Sequence, residues 1–439
     1  MRAVLALIGV LVLAATAQAQ VVDSGSTGAD GPFTATLLGS DRRVPPGTFF
    51  NCTGLPFFPD ACTAFVPLRD PPDHVFHFTT ITVQAGVTVK FIRNAANTPV
   101  FMLATGDVTI NGLIDVSGEN GAAGISAARG GPGGFSGGTS IQGGVGGAGS
   151  GPGGGAGAYV QASGAVSPQA GCFADCYGNL QLLPLIGGSG GGGGLRASNG
   201  PPYYGNGGGG GGALLIASSR TIDLGTGSGA AIQAMGGAPE YRLGSGPGHG
   251  SGGAVRLVSN TLIGNRAIRA FGWQESGPGQ VPVGGIGRIR LETPTGSALP
   301  YAGLTRPAAT YNAQGQPIVI FPPIVPRLRI VSISGAALPA QPTVDAATPD
   351  VSFGPSLSGN AFVVVEATHV PSGTPVKVIV SPQFGAGGRS ISGPTPLTGP
   401  AACATAPGEQ CMHATVAVPI PAAGSGIISA LIDAVTPVP

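Results

Sequence analysis

Charge is scarce in this chain. Only 9% of its 439 residues are Asp, Glu, Lys or Arg, and 20 basic against 19 acidic side chains leave a net charge of +1. No block of basic residues occurs, so neither nucleic acid nor an anionic membrane finds an electrostatic footprint. Aromatic residues are few, at 6%, and the apolar content is mainly Val, Ile, Leu and Ala, which favours thin, repetitive β structure over one large core. Beyond the first residues no hydrophobic run is long enough for a membrane span. Clustered acids, a nucleophile elbow, a phosphate-loop lysine and a zinc-protease helix are all missing. No motif therefore assigns a catalytic residue, a metal site or a cofactor.

Glycine, by contrast, is abundant: 80 residues, beside 41 prolines. The richest stretch, 118–212, contains GGPGGFSGG at Gly130, GPGGGAGAY at Gly151 and PLIGGSGGGGG at Pro184. Glycine buries no apolar side chain and loses the most backbone freedom on ordering. Its irregular spacing here excludes a collagen triple helix. Composition alone fits two arrangements equally: a floppy surface loop, or an ordered, polyglycine-II-like layer packed so closely that only glycine fits.

The flanks of this stretch repeat. One unit runs Val100–Leu103, Val108–Ile110 and Leu113–Val116; a second runs Ala213–Ala217, Thr221–Leu224 and Ala231–Ala234; a third runs Ala254–Val258, Thr261–Gly264 and Ala267–Ala270. A fourth begins at Gly287–Leu291 and breaks off. Each unit is three short β-branched strands between tight turns, followed by a glycine excursion from the same corner. Strands too short for a core of their own predict an all-β protein: a right-handed parallel β-helix or solenoid with Ile114, Ile232 and Ile268 stacked inside it. Such a stack needs capped ends.

The expected organisation is a signal peptide over 1–19, a positive start and apolar run ending in Ala17-Gln18-Ala19, then an irregular N-terminal cap over 20–72. The solenoid follows over 73–293 with its glycine-rich insert at 118–212. A Pro- and Ala-rich linker occupies 294–326, and an immunoglobulin-like β-sandwich occupies 327–439. The six cysteines fall into local pairs, with Cys52–Cys62, Cys172–Cys176 and Cys403–Cys411 the simplest of the fifteen connectivities. The cluster Leu180, Leu182, Leu183, Leu185 and Ile186, with Phe173 and Tyr177, reads as a surface knot or as a stapled turn that pins the glycine layer to the repeat.

The succession Gly86-Val87-Thr88-Val89, Gly106-Asp107-Val108-Thr109-Ile110, Gly130-Gly131-Pro132-Gly133-Gly134-Phe135, Leu185-Ile186-Gly187-Gly188-Ser189-Gly190-Gly191, Gly252-Gly253-Ala254-Val255-Arg256-Leu257 and Gly287-Arg288-Ile289-Arg290 resembles a group of uncharacterised, secreted, glycine-rich bacterial β-helix-like proteins. The resemblance spans about Val75 to Leu291. It implies a bacterial, exported protein and supplies no catalytic residues.

The leading functional expectation is a secreted or cell-surface structural or adhesive protein without catalytic activity. Extracellular polysaccharide or a cell surface is its candidate partner; nucleic acid and a membrane span are not expected. One alternative is a polysaccharide-active β-helix enzyme, a lyase or glycoside hydrolase using Asp115, Asp223 or the late arginines Arg256, Arg269, Arg288 and Arg290. The other is a glycan-binding module whose loop aromatics Tyr203, Tyr204, Tyr241 and Trp273 cover the apolar faces of sugars.

Overall fold

The computed structural model describes residues 21–432 except 56–57, 71–73, 123–125, 141–145, 156–157, 161–170, 173–176, 197–202, 241–246, 273–283, 297–303, 315, 322–326, 340–348, 354–358, 385–389, 405–407, 409 and 421–424. The leader expected over 1–19 lies outside them. Nearly all regular structure is strand, and the first two sheets are built almost wholly from parallel pairs.

In the first sheet, Val100–Ala104 and Val108–Ile110 both pair with Ala213–Asp223, which pairs in turn with Ala254–Ile263 and then Arg288–Glu292. The first two strands of each expected unit therefore share one sheet. In the second and third units they form a single strand, broken only by a register shift between Ser218 and Thr221. The Ser218 hydroxyl donates across this shift to Gly106 O at 2.8 Å. The third strands form the second sheet, where Leu113–Asp115, Ala230–Gln233 and Ala267–Arg269 pair in parallel. Ile114, Ile232 and Ile268 are register partners there and fully buried, as the repeat predicts. One apolar cluster draws from both sheets, with Met102, Leu214, Ile216 and Val255 from the first and Val89, Ile114 and Ile232 from the second.

The stack extends beyond the expected units at both ends. Val75–Phe78, Ile81–Val83 and Val87–Ile92 pair with the three strands of the first unit and form a unit themselves. The expected irregular cap supplies further rungs, Phe33–Ala35 in the first sheet and Phe58–Pro67 in the second. It ends in an antiparallel hairpin, where Phe49–Leu55 covers Phe58–Pro67 and the Cys52–Cys62 disulfide joins directly opposed residues. The expected linker also carries rungs: Thr305–Arg306 adds to the second sheet and Thr310–Tyr311 to the first. Proline and alanine conceal these strands because each needs only two paired residues once a template edge is present.

Among the described residues the glycine segments are mostly buried, and they continue the rungs. Leaving the second sheet, segments starting at Val116, Ala234 and Ala270 lie side by side, with Gly118 N donating to Met235 O (2.8 Å) and Gly236 N to Phe271 O (3.0 Å). Returning to the first sheet, 205–212 lies beside 247–253. The donors of the former follow a period of three. Gly207 and Gly210 donate to Gly138 and Phe135, Gly208 and Gly211 to Gly248 and Ser251, and Gly209 and Gly212 to Glu119 and Val116, all at 2.7–3.0 Å. One extended strand thus bonds three neighbours, as a backbone with three residues per turn must. Side chains have no room between them. A Cβ on Gly208 would lie 1.9 Å from Gly237 O, on Gly210 1.9 Å from Gly188 O, and on Gly253 1.9 Å from Gly212 O.

Past Arg327, two antiparallel sheets share a separate core. Arg327–Ile333, Gly359–Thr368 and Gln410–Ile420 run through one, and Pro375–Phe384 pairs with Ser425–Ile432 in the other. Val363, Val365, Val416 and Val418 pack with Val376, Val378 and Val380. The Cys403–Cys411 disulfide ties the end of Thr398–Ala402 to its neighbour Gln410–Ile420.

Steric exclusion at the glycine contacts gives a direct test. Gly210→Ala is expected to destabilise the parallel-sheet body by about 3 kcal/mol or more, since backbone carbonyls cannot move aside as side chains do. Gly229→Ala, whose Cβ would meet only the Arg266 side chain at 3.4 Å, is expected to stay within about 0.5 kcal/mol of the parent. Thermal melts of the two variants beside the parent would check both.

Candidate functional site

Sheet faces that look away from the shared core are the surfaces on which function can be built, and the two sheets treat theirs differently. The outer face of the first sheet is covered along the half before the register shift, whereas beyond it Thr261 and Ile263 are exposed. Leu103, Ala213, Leu215, Ala217, Ala254 and Val258 are buried there beneath Tyr177, Leu182, Leu185 and Ile320. The cluster around Cys172 therefore packs on the repeat and reaches the glycine layer as well: Tyr177 Oη donates to Gly187 O (2.7 Å) and accepts from Ser189 Oγ (3.0 Å). Cys172 is disulfide-bonded; Cys176 and Phe173 lie outside the described residues. Leu180, from the same apolar run, stays half exposed.

The same covered face carries a buried ion pair. Arg256 and Glu292 are 2% and 3% exposed, with Arg256 Nε and Nη2 donating to the two carboxylate oxygens at 3.2 and 3.0 Å. The guanidinium also donates to Val319 O (2.6 Å) and Ile320 O (3.1 Å), and Arg290 Nε donates to Glu292 Oε1. Both side chains are thus enclosed with hydrogen-bonded partners, the condition a buried ion pair needs. Arg256 thereby fastens the segment after the last rung across the sheet. Arg288 reaches Tyr177 O at 3.4 Å. The late arginines thus divide: Arg256, Arg288 and Arg290 hold the cover in place, and Arg269 lies in the other sheet. Asp115 and Asp223 also belong to different sheets, and each accepts a local backbone N–H, from Ser117 and Gly225 respectively.

The outer face of the second sheet is open. Since Val89, Ile114, Ile232 and Ile268 point into the core, the residues after them point out. They form one column in register: Lys90, Asp115, Gln233, Arg269 and Arg306. Lys90 Nζ meets Asp115 Oδ2 at 3.0 Å. Gln233 and Arg269 are half-buried and Arg306 is exposed. Two residues beyond Gln233 and Arg269 come half-buried Met235 and Phe271, and Phe271 forms a bridge with exposed Ile286. Sequence reasoning named Arg269 and Asp115 without seeing this column. It was readable by aligning the residue that follows each inward isoleucine; Arg306 was hidden because the repeat was expected to end before it.

Of the expected sugar-contacting aromatics, Tyr203 and Tyr204 lie in Tyr203–Gly205, where they are register partners of Arg196 and Leu195. Tyr241 and Trp273 lie outside the described residues, so the four are not brought together within them. Among the described residues no group of three or more His, Cys, Asp or Glu is placed to hold a metal ion, and no helix is long and apolar enough to cross a membrane. Comparison with protein-family models, characterised proteins and solved structures finds no match.

One ionisable group is enclosed in the glycine layer. His249 is fully buried, its carbonyl accepting from Gly171 N at 2.8 Å, and burial pushes its pKa down from 6.5 to about 4. The neutral imidazole is the folded form, so its contribution to stability is complete above pH 6.5 and is lost as pH falls towards 4. A loss on the order of 2 kcal/mol between pH 7 and pH 4 is expected, and it should be absent in His249→Asn. Denaturant melts of both proteins across this range would measure it. Glu292→Gln, which leaves Arg256 buried without its counter-charge, is expected to cost about 3–5 kcal/mol, seen as a lowered melting temperature.

Proposed function

We propose that this chain is an exported, non-catalytic adhesive or structural protein of the cell surface. In this reading the parallel rungs form a β-solenoid whose corner runs out into a polyglycine-II-like layer, and the strands past Arg327 form an immunoglobulin-like sandwich. The observation that carries the reading is the period-three hydrogen bonding of the 205–212 segment to three neighbours. It supports a stiff, nearly side-chain-free extension whose cohesion depends on backbone contacts, a design suited to projecting a surface. The Cys52–Cys62 and Cys403–Cys411 disulfides fit an oxidising compartment.

An enzymatic reading draws less support. Three of the nominated arginines are engaged in packing, and the two nominated acids belong to separate sheets.

The test is fractionation of cells that produce the protein. Tight association with the cell or matrix fraction, resisting buffer washes, is the expected result. Recovery of the protein wholly in the culture medium would overturn the adhesive reading.

A further inference from the structure

We infer that the outward column of the second sheet, at its Arg269–Arg306 end, binds the carboxylates of an acidic polysaccharide. The inference rests on the adhesive reading above only in supplying that reading with a ligand.

The argument starts from an electrostatic imbalance. Arg269 and Arg306 are register partners on adjacent strands, and Ala270 N donates to Arg306 O at 2.7 Å, which fixes the two rungs together. Neighbouring strands lie about 4.8 Å apart. Two arginines thus occupy opposed positions of adjacent strands on one face, where like charges disfavour each other. The other arginines of this region have acceptors: Arg256 and Arg290 share Glu292, and Arg266 donates to Asn111, Gly112 and Ala230 carbonyls. Among the described residues Arg269 and Arg306 meet no acceptor. The acid in the same column, Asp115, is two rungs from Arg269 and is taken up by Lys90 and by Ser117 N. An anion arriving from solvent would meet both guanidiniums, and arginine's planar fork suits a carboxylate in particular.

The rest of the face narrows the class of anion. Next to the arginines the column continues with Gln233, an uncharged donor and acceptor, and not with further cations. Beside it run Met235, Phe271 and Ile286, the last 37% exposed. Two cations, an amide and an apolar strip suit a polymer of rings with sparse carboxylates, whose apolar faces lie on Phe271 while its acid groups reach the arginines. A polyphosphate backbone would call for many more cations. The in-register rungs present these groups in one column, so an extended chain would lie along it from Arg306 towards Gln233.

The experiment measures binding of polygalacturonate to the full chain by titration calorimetry, with dextran and single-stranded DNA as comparison polymers. The parent is expected to bind polygalacturonate, to bind it more weakly as salt is raised, and to ignore dextran. The R269Q/R306Q double variant is expected to lose at least about tenfold in affinity, and R269K/R306K, which keeps the charges without the fork, to fall between. Arg220→Gln, at the exposed register shift of the first sheet, should bind as the parent does. If R269Q/R306Q fails to fold, judged by its melting curve, the single exposed-site variant R306Q serves in its place and should still weaken binding severalfold. Absence of polygalacturonate binding in the parent, unchanged affinity in folded variants, or equally tight binding of DNA would overturn the assignment. Each of these results leaves the fractionation test standing, so failure of the ligand and failure of the adhesive reading are told apart.

Discussion

A common spacing underlies the whole of the parallel body. Parallel strands stand about 4.8 Å apart, and a glycine segment laid against another can approach as closely only if neither carries a side chain. Where a rung leaves the second sheet at Val116, Ala234 or Ala270 it stops burying apolar side chains, yet it stays hydrogen-bonded to the next rung. The hydrogen bonds simply carry on, from Ile232 and Ile114 in register to Gly118 N on Met235 O. Glycine is therefore required at Gly208, Gly210 and Gly253 because a neighbour's carbonyl oxygen occupies the place where a Cβ would be. The apolar core between the sheets and the polar backbone layer beyond them are two consequences of one repeat distance.

That arrangement makes the ends and the outer faces decisive, because stacked rungs have no natural stopping point. At one end the second sheet stops at an antiparallel hairpin closed by Cys52–Cys62, with the Arg42 guanidinium 3.6 Å over the Phe50 ring. At the other, Thr305–Arg306 and Thr310–Tyr311 contribute rungs of two residues each. On the flank, Tyr177, Leu182 and Ile320 seal the first sheet, and the Arg256–Glu292 pair fixes part of that seal from beneath. With that half of the first sheet closed on both faces, the open positions are those beyond its register shift and the outward column of the second sheet.

Much of this could be read from the order of residues. Alternation with β-branched side chains located most strands of the repeat, and the isoleucine column Ile114, Ile232, Ile268 was legible because inward positions recur at matched places in each unit. The glycine layer was not decidable, since its stability comes from backbone hydrogen bonds between segments as distant as Gly212 and Val116, and composition carries no record of such pairing. The added rungs at both ends escaped for a related reason: Thr305–Arg306 has almost no intrinsic strand signal and is extended because an existing edge receives it. The cover over the first sheet was half legible. The leucine cluster was visible, but nothing local shows that Arg256, one of the late arginines considered for catalysis, is enclosed with Glu292. The open column needed no contact information at all, only alignment of the units, but its residues form no motif that marks them out.

The out-and-back path of the glycine segments frees the length of an excursion from the register of the sheets. The first leaves at Val116 and returns through Gly212, whereas the third leaves at Ala270 and is back by Gly287, and both hand the chain to the first sheet in step with its neighbours. Extra chain added far out on an excursion is absorbed as further glycine segments stacked sideways, as 131–138 and 187–193 are. The molecule can thus widen without lengthening its stack of rungs, and the outermost sequence can diversify while the scaffold that carries it stays the same.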